Sequence, residues 1–87
     1  MQIYKHRLPL HGSSEIPQCS AVLSVGVQDN TPYCWYRHEG KQSRQVLVLI
    51  TGQHFDMGNP WRFVGTFQLE DTNGAPYVGH VLERPVF

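Results

Sequence analysis

Five histidines, His6, His11, His38, His54 and His80, are the residues of this 87-residue chain best suited to chemistry. Imidazole is the commonest metal ligand and the side chain whose ordinary pKa lies nearest neutrality. Strand-borne metal sites usually begin from a close pair on one face, and no H-x-H, H-x-x-H or H-x-x-x-H pair occurs. Zinc or iron would need His38, His54 and His80 to converge in space, so the expectation is ordinary surface or strand-end histidines, with no metal site and no cofactor. Of the two thiols, Cys34 beside Trp35 is the more attractive. A nucleophilic thiolate needs a histidine and a charged or helix-terminal setting to lower its pKa. Cys34 falls in the middle of an expected strand with no helix nearby, which favours an inert buried cysteine. The serines lie outside any G-x-S-x-G elbow, and "TGQHF" lacks the glycine-rich run and the lysine of a phosphate loop. Carboxylates are isolated or sit at turns, where they cap backbone donors more often than they move protons. No catalytic residue is expected, and the chain reads as a non-enzyme.

What remains is aromatic. Phe55, Met57 and Trp61 lie in or beside the connection 52–60, and Trp35, Tyr36 and Arg37 are consecutive. Aromatic residues, methionine and arginine are the types enriched in interfaces. One use would be protein contact, through a sheet face or the 52–60 loop. Another would be a small-ligand or sequestering site that oligomerising domains build from Trp35, Tyr36, Arg37 and His54. A third, bland use has Phe55 folding back to plug the end of a barrel.

Seven basic and seven acidic residues cancel. There is no overall excess of charge to capture a phosphate backbone, so nucleic acid is an unlikely partner on this ground. Weak colloidal repulsion and open strand edges favour self-association, and a homodimer is expected. No apolar run reaches the 18 residues of a membrane helix, and "MQIYKHRLPLHGSS" lacks the pattern of a signal peptide, so a cytoplasmic setting with reduced thiols is expected.

These residues must be positioned by strands. Period two outweighs period 3.6, and β-branched and aromatic residues cluster between turn signals. "QIYKHRLPL" begins as a strand with Ile3 and Lys5 on one face and Tyr4 and His6 on the other. "GSSEIPQCS" reads as loop. A strand over 21–28 turns at "DN" and returns antiparallel over 33–38, with Tyr33 and Trp35 opposite to Cys34 and Tyr36. "RQVLVLIT" suits a central strand covered on both faces. The final pair joins 61–70 to 77–84 through "DTNGAP", where Asn-Gly suits a primed two-residue turn. Only 10–20 and 52–60 leave room for a helical turn. The expectation is all-β: one small domain over 1–87, of about six mostly antiparallel strands in a barrel or two-layer sandwich. Its core should hold Leu23, Val25, Trp35, Leu47, Leu49, Phe63, Phe67 and Val81.

Taken in order, "MQIYKHRLPL", "AVLSVGVQDNTPYCWY", "TGQHF", "WRFVGTFQL" and "GHVLE" resemble a family of short phage and prophage proteins known only as a domain of unknown function. The resemblance covers nearly the whole chain. It implies a β-rich fold and a phage-associated setting, and it brings no activity, ligand or catalytic residue with it.

Overall fold

The computed structural model describes residues 1–54 and 60–86. Seven strands follow in order: β1 Gln2–Arg7, β2 Gly12–Ile16, β3 Cys19–Gln28, β4 Thr31–His38, β5 Ser43–Ile50, β6 Arg62–Glu70 and β7 Pro76–Val86. They form two antiparallel sheets, a three-stranded one ordered β1-β4-β3 and a four-stranded one ordered β2-β5-β7-β6. No ladder joins the two, so the all-β expectation resolves to a two-layer sandwich and not a closed barrel.

The seventh strand is β2, where a loop or helical turn was expected. Its residues Ser13, Ser14 and Glu15 carry no apolar alternation, because an edge strand can be held by its ladder alone. It pairs with β5 from Gly12↔Val48 to Ile16↔Arg44, and only Ile16 is buried. Pro17 and the left-handed Gln18 (φ 52°) then end it.

The two hairpins show how local chemistry sets register. Asp29 and Asn30 both have positive φ, 51° and 53°, as a two-residue turn of primed type requires, and Gln28 pairs with Thr31. At "DTNGAP" the expected two-residue turn gives way to a wider loop. Gly74 alone has positive φ there, the Gly74 amide donates to the Asp71 carbonyl, and the Asp71 amide donates to the Ala75 carbonyl. The Asp71 carboxylate captures the Asn73 and Ala75 amides, which fixes the wider form.

Strand alternation matches the sequence, but four strands turn a different set inward. On β4 the buried side chains are Cys34 and Tyr36, so Trp35 faces outward. On β3 the register shifts between Cys19 and Ala21 and again between Val22 and Ser24. These bulges bring Cys19 and Val22 into the core and leave Leu23 43% exposed. On β5, Val46 and Val48 are buried while Leu47 and Leu49 are half-buried on the outer face. A bulge between Phe63 and Gly65 puts Phe63 outside at 57% exposure, with Phe67 and Leu69 inside. Thus Leu23, Trp35, Leu47, Leu49 and Phe63 are not core residues, whereas Phe67 and Val81 are, and Val25 packs against the core.

The two layers are tied by Glu83, 2% exposed on β7. Its Oε2 accepts the Val22 amide of the opposite sheet at 3.1 Å. Its Oε1 accepts Arg62 at 2.9 Å from Nε and 2.5 Å from Nη2, and lies 3.5 Å from Arg44 Nη1. Both arginines also reach across, Arg62 to the Val22 carbonyl at 3.1 Å and Arg44 to the Ser20 carbonyl at 2.9 Å.

Phe67 fills the space over Gly79, where an added Cβ would fall 2.3 Å from the ring. Deleting its side chain in Phe67→Ala should cost about 3–5 kcal/mol, enough to unfold a domain whose stability is of order 5 kcal/mol. Urea unfolding followed by tryptophan fluorescence checks this; a cooperative transition at the wild-type midpoint would show that Phe67 does not anchor the core.

Candidate functional site

Because directly paired residues share a sheet face, the ladders assign each candidate to a surface. On the three-stranded sheet, Ile3↔Arg37, Lys5↔Trp35 and Arg7↔Tyr33 face outward, with Ala21, Ser24 and Gly26 opposite Arg37, Trp35 and Tyr33 on the other side of β4. Tyr36 faces inward, where it meets Val22 and Tyr4. Trp35 and Arg37 therefore share a surface that Tyr36 does not reach. His54 follows β5 in the four-stranded sheet and is exposed, and Phe55 and Met57 lie outside the described residues. Trp61 precedes β6, its ring 4.3 Å from the Arg84 guanidinium carbon. The candidates thus divide between two sheets.

The outer face of the four-stranded sheet carries Leu47 and Leu49 of β5, Phe63 of β6, and Leu82 and Arg84 of β7. Arg84 is steadied by the Gln45 amide oxygen at 3.0 Å and by Trp61. Around this apolar strip stand Ser13, Glu15, Thr66, Gln68 and His80. Phe63, on the edge strand β6, is the exposed end of this strip, and apolar surface beside polar residues is the make-up of a protein interface.

His80 lies on that rim with both ring nitrogens engaged, Nε2 2.7 Å from Thr51 Oγ1 and Nδ1 3.1 Å from Thr66 Oγ1. A metal would have to displace a threonine. His11 Nε2 meets Gln53 Oε1 at 3.1 Å, and His38 stacks on Tyr4 at 4.4 Å. Among the described residues no three of His, Cys, Asp or Glu form a group able to hold a metal. Both thiols are buried; desolvation raises Cys19 and pushes Cys34 up to about 12, away from the thiolate a nucleophile needs.

A concavity of about 450 Å³ opens at one end of the sandwich. Its apolar walls are Leu8, Pro9, Leu10, Pro32, Leu69 and Tyr77, and Arg7, Glu70 and Asp71 supply charge. The walls are stitched together: the Leu8 amide donates to the Pro32 carbonyl, the Tyr77 hydroxyl to the Leu10 carbonyl, and Asn30 bonds both backbone groups of Glu70. Sequence reading missed this site because its residues come from three separate connections. It also missed Phe63 and Tyr33 as surface residues, although their alternation was readable; only the inward choice was hidden.

Among the described residues these features define a small β-sandwich with two sheet faces that no further layer covers and a pocket at one end. The chain belongs to the family described as Domain of unknown function (DUF7352), whose model matches residues 1–87. No curated protein and no solved structure matches it. Among the described residues no helix is long and apolar enough to cross a membrane.

His6 joins the sheets from the other side, its Nε2 3.0 Å from Ser14 Oγ, and burial lowers its pKa from the ordinary 6.5. The unfolded chain therefore takes up a proton there at higher pH than the folded one. Stability from this site is complete above pH 6.5 and declines as pH falls below it, until the folded-state pKa is passed. His6→Asn should flatten the midpoint-against-pH curve below pH 6.5; an unchanged slope would exclude His6 as its source.

Proposed function

We propose that this protein is a non-enzymatic binding module that contacts another protein through the outer face of its four-stranded sheet. The observation that carries the reading is Phe63, a large aromatic near the start of the edge strand β6 and 57% exposed, at the end of a strip formed with the buried Leu82 and the half-buried Leu47 and Leu49. An exposed aromatic at the end of an apolar strip, with the Trp61–Arg84 pair nearby, has the residue types of an energetic hot spot. The partner would present a complementary apolar surface. Raised thiol pKa values and a doubly engaged His80 support the absence of catalysis. The family resemblance read from the sequence supports an accessory role of phage or prophage type, in the host cytoplasm. A second copy of the chain is the alternative occupant of the same face.

The stitched end pocket supports a second reading, binding or sequestration of a small ligand. A mostly apolar concavity with a few convergent polar groups is the usual form of such sites. Trp35, Arg37 and His54 would have no part in it.

A photo-crosslinking amino acid at position 63, in protein expressed in its host, tests the leading reading. One dominant protein adduct, absent when the crosslinker replaces Ser24 on the opposite sheet, is expected. No adduct would overturn it, an adduct with the chain itself would identify a homodimer, and a small molecule retained in native mass spectrometry would favour the pocket.

A further inference from the structure

We infer that the outer face of the three-stranded sheet, on the opposite layer from Phe63, binds single-stranded nucleic acid. Trp35 lies down on the sheet: a Cβ at Gly26 of the neighbouring strand would sit 3.0 Å from its Cζ3 and 3.4 Å from its Cη2. The six-membered ring of Trp35 thus leans over the glycine, and the side chain is only half-buried. Tyr33 lies on the same face, 6.4 Å away between ring centroids and tilted by 53°. Successive aromatic rings on a sheet are a platform for unstacked bases, because every base has a π-face.

Charge on this face matches a phosphate backbone. Lys5, Arg7 and Arg37 point outward with the two rings, and no acidic residue stands on its strands. The chain is neutral overall, but its acidic residues lie off these strands, and Arg44 and Arg62 are engaged with Glu83 and Arg84 with Trp61. Lys5 is held over the Tyr33 ring at 4.4 Å and bonded to Gln28 Oε1 at 2.9 Å, which fixes a cation beside the stacking surface. Phosphate oxygens would pair with the cations of this face, and the half-buried Trp35 ring would take an adjoining base. Duplex DNA keeps its bases stacked away from such a platform, so the fit is to a single strand.

The test is fluorescence anisotropy of a labelled twelve-nucleotide oligothymidylate titrated with the full chain at 50 to 200 mM salt. With three phosphates neutralised, log K should fall against log salt with a slope of about −2. Trp35→Ala should weaken binding about tenfold or more, Trp35→Phe should largely restore it, and Thr72→Ala, in the exposed turn between β6 and β7, should leave it unchanged. Lys5→Gln and Arg37→Gln, at exposed or half-exposed positions that the fold tolerates, should each flatten the salt slope. The inference is overturned by absence of binding at 50 mM salt, by equal competition from a duplex of the same length, by binding indifferent to Trp35, or by a stronger preference for polyglutamate, which would mark an acidic protein as the partner.

Discussion

One buried carboxylate organises this sandwich. Glu83 draws partners from both layers, the Val22 amide of β3 on one side and Arg62 of β6 and Arg44 of β5 on the other. A carboxylate so deeply buried is tolerable only when hydrogen-bonded and paired, and meeting that demand dictates local backbone geometry. Arg62 is opposite Glu83 and must face inward, so Phe63, opposite Leu82, must face outward. The bulge before Gly65 then resets the alternation and returns Phe67 and Leu69 to the core. On β3, register shifts flank Val22, whose amide goes to Glu83. The exposed aromatic of the proposed protein-binding face is thus a geometric consequence of the ion pair.

A chain of this size cannot wrap its sheets in further layers. Each sheet keeps an outer surface, and the two differ in chemistry. The four-stranded sheet offers leucines and Phe63 with a polar rim; the three-stranded sheet offers Tyr33 and Trp35 among three cations.

Much of the fold was legible in the sequence because period-two alternation and turn residues are local signals. The pairing of 21–28 with 33–38 across Asp29 and Asn30, and of β6 with β7, followed from them. Which alternate set faces inward did not follow. Cys34 and Tyr36 are no more apolar than Tyr33 and Trp35, so pattern alone does not choose between them. Bulges shift the phase at Leu23 and Phe63, and the carboxylate on β7 that the neighbouring Val22 and Arg62 bond to is distant in sequence. β2 escaped notice because its polar edge residues are held by a ladder and not by burial. The candidate residues Trp35, Arg37 and Trp61 were legible as types; their separation onto different layers was set by topology.

The central claim is that Glu83 holds the two sheets in register, and urea unfolding of Glu83→Leu tests it most directly. Leucine keeps the volume but leaves Arg44 and Arg62 facing an apolar group and the Val22 amide without an acceptor. The account predicts a loss of about 1–3 kcal/mol, the usual cost of leaving a buried donor such as the Val22 amide without its acceptor, while the part-exposed Arg44 and Arg62 turn to water. A midpoint equal to or above that of the unmodified protein would contradict it.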